Sequence, residues 1–126
     1  MVLIALPKPR AAALPLDPET EQLLVESVES AAALDFYNAR CRSDNSGRHT
    51  DNLNKELVSK LRLTVISVQD DLFPERSFRQ AQQRMQESFI NTLRGAGGCK
   101  GAKDSGLSDR LRARYGEKLH AIEALP

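Results

Sequence analysis

Residues capable of acid–base chemistry or metal binding are sparse in this sequence. His49 and His120 are its two histidines, and neither has a cysteine or carboxylate at the spacing of zinc ligands. We therefore expect both to be surface or boundary residues. Asp70 and Asp71 form the one paired carboxylate, but adjacent residues on a helix point about 100° apart and do not converge on one substrate. The sequence predicts no catalytic residue, no cofactor and no metal site.

The glycine-rich stretch 95–101 is another feature to test, because glycine-rich loops often cradle phosphates. It lacks the G-x-x-x-x-G-K-[ST] pattern, and no predicted strand leads into it. We predict a flexible loop whose role is to let Cys99 reach a partner. No serine lies in a G-x-S-x-G pattern. These features favour a protein without enzymatic activity.

Cys41 and Cys99 are the only cysteines, and each is predicted to lie where a helix ends. A disulfide between them would close a long loop and stabilise the fold by about 4 kcal/mol in the chain-entropy model. The alternative is two free thiols in a cytosolic protein. No C-x-x-C motif is present, so neither a redox-active pair nor a zinc site is indicated. We predict the disulfide, because the start of the chain indicates export.

Residues 1–16 resemble the end of a signal peptide. A short apolar run precedes small residues and three prolines, although a basic n-region and a full apolar stretch are missing. The prolines predict an extended or disordered segment, followed by a single helical domain over residues 17–126. No stretch approaches the roughly 18 apolar residues of a membrane span. This interpretation predicts a periplasmic or secreted protein.

Charge is balanced overall but uneven along the chain. The net charge of +1 gives no long-range field to attract nucleic acid or a membrane surface. Six acids and no base lie between residues 17 and 35, whereas seven bases against three acids lie between residues 94 and 118. These segments are expected to attract each other within one fold or across a dimer, or to bind a partner. The candidate interaction surface comprises Glu19, Glu26, Glu29, Arg110, Arg114 and Lys118.

Capping residues and apolar periodicity predict the first two helices. Asp17 followed by proline starts a helix that runs to about residue 42, where a Ser-Asp-Asn-Ser-Gly stretch ends it. Thr50 or Asp51 can cap the second helix, which places leucines on one face and breaks near residues 62–64.

The second half of the chain predicts a short helix and two long ones. The β-branched stretch 64–68 has strand character, but no partner strand exists, so a short helix capped by Thr64 is preferred. Ser77 begins a helix that ends at Gly95, and the last helix spans about residues 107–125.

The predicted fold is all-α, a compact bundle of four main helices plus one short helix with one disulfide. Each helix has one apolar face, which the others must cover. Aromatic residues make up 5% of the chain, so the core must be largely aliphatic. Its largest side chains are expected to be Phe36, Phe73, Phe78 and Phe89.

In size and helical content the predicted protein resembles two groups of exported bacterial proteins, the first of which also has one long-range disulfide. These are the periplasmic acid-stress chaperones and the immunity proteins that neutralise secreted cell-wall amidases, and no motif matches either group. We predict a non-enzymatic exported protein that binds another protein through a helical surface, with a homodimer as a second arrangement and no nucleic-acid partner. The alternative is a periplasmic chaperone or apolar-ligand carrier, with a groove lined by Met85, Phe89 and Leu93.

Overall fold

The computed structural model describes residues 16–126, which form six α-helices and, over that range, no strand. The all-α fold predicted from the sequence is therefore confirmed. The extended segment predicted for residues 1–16 lies outside the described residues, apart from the half-buried Leu16. In chain order the helices are α1 (Pro18–Cys41), α2 (Arg48–Leu61), α3 (Val65–Asp71), α4 (Phe78–Gly95), α5 (Gly98–Asp104) and α6 (Leu107–Glu123).

The longest helix, α1, is the element on which the others pack. It starts as predicted, because the Asp17 carboxylate accepts a hydrogen bond from the Thr20 N–H at 2.7 Å and Pro18 follows at the first helical position. Its 24 residues give a length of about 36 Å, enough to contact α2, α3, α4 and α6. Small residues at Ala31 and Ala32 are buried on the packed face and let neighbouring helices approach closely.

Helix α2 begins two residues before the first predicted cap. Gly47 is its N-cap, with a φ of +64° that favours glycine, and Arg48 is the first helical residue. The predicted caps Thr50 and Asp51 therefore lie inside the first turn, and that prediction is wrong. The predicted break after α2 is confirmed at Arg62, which adopts the left-handed conformation with a φ of +56°.

The β-branched stretch after this break is a helix rather than a strand. Thr64 caps α3 by a reciprocal arrangement in which its hydroxyl accepts from the Ser67 N–H and the Ser67 hydroxyl accepts from the Thr64 N–H. Val65 and Val68 are buried against α1, and α3 leads into Phe73, whose side chain is fully buried. Capping and burial together therefore override the strand propensity of this segment.

The glycine-rich stretch differs most from expectation. It was predicted as a flexible loop, but residues Gly98–Asp104 form the short helix α5, so the bundle has six helices instead of five. Gly97 and Gly98 both have positive φ and turn the chain between α4 and α5. Gly101 lies against the end of α4, where an added Cβ would overlap the carbonyl oxygen of Ala96.

Two clusters of buried apolar side chains hold the helices together. The larger one lies along α1, α2, α3, α4 and α6 and includes Leu24, Val28, Leu53, Leu57, Phe73 and Ile122. The smaller one joins α1, α4, α5 and α6 beside the two cysteines and contains Tyr37, Phe89, Leu93, Ala102 and Leu107. Phe78 was expected in the core, but it is 36% exposed because it lies at the first position of α4.

Candidate interaction site

A disulfide joins Cys41, the last residue of α1, to Cys99 in the first turn of α5. Their Cα atoms lie 5.4 Å apart, within the usual range for a disulfide, and the pairing predicted from the sequence is confirmed. The bond places the end of α1, the start of α5 and the start of α6 around one opening. Residues of this opening are the strongest candidates for a functional site.

A basic cleft of about 720 Å³ opens beside the disulfide. Four positively charged side chains line it, and they come from three separate parts of the chain. Arg42 follows α1, Lys100 and Lys103 lie on α5, and Arg112 lies on α6. Lys100, Lys103 and Arg112 belong to the basic segment 94–118 noted in the sequence, but Arg42 lies outside it, and the sequence analysis did not predict the cleft. We use the name "basic cleft" for this opening and its four bases.

The charges of the basic cleft are mostly uncompensated. Among the described residues, no ion pair involves Arg42, Lys100 or Lys103. Arg112 forms one with Asp109, one turn away, at 3.4 Å, and the Asp109 side chain is 82% exposed. An exposed pair of this kind contributes little and is easily exchanged for another anion. The cleft therefore concentrates positive charge on a chain whose net charge is only +1.

An apolar groove of about 240 Å³ lies between α1 and α4. Its walls are Phe36 and Ala39 from α1 and Phe89 and Ile90 from α4. The Phe36 and Phe89 rings pack with centroids 5.9 Å apart, which fixes the floor of the groove. Two polar side chains, Arg40 and Gln86, complete its lining.

Two of the three residues named for the predicted apolar-ligand groove, Met85 and Phe89, line an opening of about 240 Å³ on α4, with the charged Glu29 and Arg84 also in its wall. Met85, Phe89 and Leu93 are each about 95% buried, and they belong to the two core clusters. Their stripe on α4 is used to pack α4 against the rest of the bundle. Of the three, only Phe89 also reaches the apolar groove.

The acidic and basic segments predicted to attract each other do meet within the chain. Lys118 on α6 donates to Glu26 on α1 at 3.1 Å, and Glu29 lies 3.5 Å from Arg84 on α4. A hydrogen bond from Gln22, followed by the one from Lys118, lowers the pKa of Glu26 below its usual value. Two of the three predicted acids are thus engaged internally.

The remaining residues of the predicted surface do not form one site. Glu19 is exposed in the first turn of α1. Arg110 donates to the backbone carbonyl of Ser105 at 2.7 Å, and so binds the turn before its own helix. Arg114 is exposed on α6 near Glu26. The structure therefore brings Glu26 and Lys118 together and leaves the others apart.

A second cluster that the sequence analysis missed joins Asp35, His49 and Tyr115. His49 was expected at the surface or a boundary, and its side chain is in fact 18% exposed. Its Nδ1 atom lies 2.9 Å from Oδ1 of Asp35, its ring packs edge-on against Tyr115, and the Tyr115 hydroxyl donates to the His49 carbonyl. Burial raises the pKa of Tyr115.

The Asp35 cluster is built to hold helices together. Asp35 also accepts from the backbone N–H groups of His49 and Thr50, at 3.2 and 2.8 Å. These are free donors at the start of α2, which Gly47 has no side chain to cap. Both oxygens of the carboxylate are therefore used in joining α1 to α2, and Tyr115 adds α6 to the same point.

Asp70, the first of the two adjacent carboxylates noted in the sequence, caps a helix. Asp70 accepts a hydrogen bond from the Phe78 N–H at 2.7 Å, which ties the end of α3 to the start of α4. Such a contact offsets the mildly unfavourable position of a carboxylate near a helix C-terminus. Asp70 therefore serves as a cap for the start of α4.

Within the described part of the chain, no group of three or more His, Cys, Asp or Glu side chains is placed to hold a metal ion. Every buried side-chain nitrogen or oxygen there has a hydrogen-bond partner. No helix between residues 16 and 126 has the length and apolar character needed to cross a bilayer.

Fold and site together define the class of protein, an all-α bundle with one disulfide and a basic cleft beside it. Comparison with known proteins adds no relative: no family model matches the chain, and neither a curated protein nor a solved structure is similar to it.

Proposed function

We propose that the protein is an exported, non-enzymatic binding protein that holds an acidic segment of another protein in the basic cleft. The observation that carries this proposal is the placement of Arg42, Lys100, Lys103 and Arg112 around one opening. A cleft lined by charges of one sign concentrates their field, so its local attraction for carboxylates exceeds what a net charge of +1 suggests.

The short range of this attraction favours a partner that enters the cleft. At physiological ionic strength exposed charges are screened beyond about 8 Å, so bases elsewhere on the surface add little to binding in the cleft. A flexible acidic segment can place several carboxylates near Lys100 and Lys103 at once. A single surface contact would pair with one base and contribute less than about 1 kcal/mol.

The composition of the cleft favours a protein partner over a nucleic acid. Single-stranded nucleic acids bind through exposed aromatic side chains on which bases stack, combined with positive charge. The aromatic side chain that lines the cleft is Tyr37, and it is only 4% exposed. The cleft thus offers charge without a stacking surface.

We also propose that this partner is a different protein rather than a second copy of the chain. The acidic segment of α1 is the natural candidate for a self-interaction, but Glu26 and Glu29 already pair with Lys118 and Arg84 within the chain. Sedimentation velocity at micromolar concentration is expected to show a monomer. A dimer that dissociates in high salt would contradict this proposal.

Export to the periplasm or the medium is supported by the disulfide, because such bonds persist in oxidising compartments and are rare in the cytosol. Alkylation of protein recovered from its host, without reductant, is expected to leave Cys41 and Cys99 unmodified. Modification of both thiols under those conditions would overturn the assignment of compartment.

The binding proposal can be tested with a model acidic ligand. Fluorescein-labelled decaglutamate is titrated with the protein at an ionic strength of about 0.15 M, where exposed charges are screened beyond about 8 Å, and fluorescence anisotropy reports binding. The double variant Lys100→Glu/Lys103→Glu is expected to bind at least about tenfold more weakly than wild type. The matched control is Lys55→Glu/Arg79→Glu, which makes the same charge change at exposed positions on α2 and α4.

The control variant is expected to bind within about twofold of wild type, because its charges lie outside the cleft. Equal losses in the two variants would show that net charge alone governs binding and would overturn the cleft proposal. Failure of wild type to bind decaglutamate at any salt concentration would overturn it as well.

A further inference from the structure

We propose that the disulfide is a redox switch for the basic cleft, which binds its acidic partner in the disulfide form and loses most of that affinity in the dithiol form. This inference rests on the proposed function and adds a means of regulating the same site. The bond joins α5 to the end of α1, and two of the four bases of the cleft lie on α5.

Helix α5 has few features of its own that would hold it in place without the disulfide. It is seven residues long, and isolated helices shorter than about 12 residues are marginal in water. Two of its residues are glycines, and its N-cap, Gly97, has no side chain to accept from the first N–H groups. Ala102 is its one buried residue, and a methyl group contributes little apolar area. The bond to Cys41 therefore supplies the main constraint on where α5 lies.

The position of α5 decides whether the cleft has four bases or two. Lys100 and Lys103 are exposed on α5, whereas Arg42 follows α1 and Arg112 lies on α6. The bonded cysteines are the immediate neighbours of Lys100 and Arg42 in the chain, so the bond holds these two bases together. Like charges repel, and once the bond is broken this repulsion favours movement of α5 away from α1.

The disulfide is open to chemical attack from the cleft. Cys41 and Cys99 are both half-buried, and both line the cleft. The species that attacks a disulfide is a thiolate, whose negative charge the surrounding bases attract. Exposed disulfides are the labile and regulatory ones, whereas structural disulfides resist reduction. The location of this bond thus suits a bond that is made and broken.

The switching step is thiol–disulfide exchange with a dithiol. One thiolate of the dithiol attacks a sulfur of the bond, which breaks and releases the other cysteine as a thiolate. The second thiolate then attacks the mixed disulfide, so the reductant leaves as a disulfide, and Cys41 and Cys99 have gained two electrons and two protons. An oxidant that carries a disulfide reverses both steps. Because the cytosol is reducing and exported compartments are oxidising, the proposed export assembles the cleft only after the chain has left the cytosol.

Binding of fluorescein-labelled decaglutamate by the two redox forms tests the switch. At an ionic strength of about 0.15 M, wild type in dithiothreitol is expected to bind about tenfold more weakly than oxidised wild type, because two bases leave the cleft. Cys41→Ser/Cys99→Ser controls for the reductant and is expected to bind equally weakly with and without it. Equal affinity of the two forms of wild type would overturn the switch and leave the proposed function intact, whereas absence of binding by the oxidised form would overturn both.

Amide resonances separate the release of α5 from unfolding of the whole bundle. The larger core cluster contains neither cysteine, so α2 and α3 are expected to keep their amide shifts when wild type is reduced. The resonances of Gly101 and Lys103 are expected to move to positions typical of a flexible chain. Loss of dispersion throughout α2 and α3 would show that reduction unfolds the protein as a whole, and a local switch would then be excluded.

Thermodynamic linkage requires that the ligand act on the disulfide in return. If the disulfide form binds decaglutamate about tenfold more tightly, saturating decaglutamate must favour that form over the dithiol form by the same factor. Wild type equilibrated in a glutathione redox buffer is therefore expected to show fewer alkylated thiols when decaglutamate is present. Lys100→Glu/Lys103→Glu, which binds the peptide weakly, is expected to show a smaller change. Alkylation of wild type that does not respond to decaglutamate would overturn the switch.

Discussion

Asp35 and His49 are joined at two points, although they lie on different helices. The Asp35 Oδ1 atom accepts from the His49 backbone N–H at 3.2 Å and lies 2.9 Å from the Nδ1 atom of its ring. At the start of α2, a carboxylate from α1 thus accepts the hydrogen bonds that a local N-cap side chain usually accepts. The position and the stability of α2 are therefore coupled to α1.

Replacement of Asp35 by alanine is expected to destabilise the protein by about 2 kcal/mol, because two half-buried backbone donors of α2 lose their acceptor. Urea denaturation followed by far-ultraviolet circular dichroism measures the change. The control is Asp44→Ala, which removes a carboxylate that binds Ser46 and the 66% exposed Arg48. Its loss should stay below about 1 kcal/mol, and an equal loss in both variants would contradict the coupling.

Gly101 and Gly116 should respond to alanine in opposite directions. At Gly101 a Cβ would overlap the Ala96 carbonyl oxygen, so Gly101→Ala must displace α5 and is expected to lower the urea midpoint. At Gly116 nothing lies within 4 Å, and the residue is exposed inside α6. Gly116→Ala is expected to stabilise the protein by about 0.5–1 kcal/mol through helix propensity. Similar effects at the two positions would refute the packing described for α5.

Loss of the disulfide should be the most costly single change to stability. The chain-entropy model gives about 4 kcal/mol for the loop closed by Cys41 and Cys99, which are 58 residues apart. Cys41→Ser/Cys99→Ser is expected to lower the free energy of unfolding by this order, measured in urea. Wild type in a dithiol reductant provides the matched comparison. An unchanged midpoint in both samples would show that noncovalent packing alone determines the stability of this region.

Acid should weaken the contact between Glu75 and Arg84. A hydrogen bond from Arg84 holds the pKa of Glu75 below its usual 4.5, so the folded protein binds this proton less tightly than the unfolded chain. The stabilisation is therefore complete above about pH 4.5 and is lost as pH falls through the lowered value. The difference in unfolding free energy between wild type and Glu75→Gln is expected to be constant at neutral pH and to shrink in acid.

Arg84→Gln supplies the control for this pH dependence, because it removes the cause of the lowered pKa and leaves Glu75 in place. The unfolding free energy of Arg84→Gln should depend on pH in acid less than that of wild type, by the same amount as for Glu75→Gln. Parallel curves for wild type and Glu75→Gln through pH 4.5 would mean that the contact contributes no pH-dependent stability.

Local signals in the sequence were sufficient where a helix end is determined by its own residues. Asp17, Thr64 and Ser77 each accept from a backbone N–H three residues later, and all three helix starts were predicted. Local signals failed where a helix is held by contacts with residues distant in the sequence. The cap of α2 comes from Asp35, and α5 forms where glycines alone predict a loop, held by Cys99 and by the fit of Gly101.

The candidate site was less accessible to sequence reasoning than the fold. The disulfide could be predicted, because two cysteines allow one pairing. The bases of the cleft could not, since Arg42 and Lys100 become neighbours only when α5 packs beside the end of α1. In the same way, the acidic and basic segments indicated attraction but not which residues meet, and Glu26 with Lys118 is the pair that forms.

The disulfide also divides the chain mechanically. It closes residues 41–99 into a covalent ring that contains α2, α3 and α4, while α1 and α6 extend from the ring as two arms. Tension applied between the two ends of the described domain passes along α1, across the sulfur–sulfur bond and into α5 and α6. The arms must peel apart first, and no tension passes along the backbone inside the ring while the bond is intact.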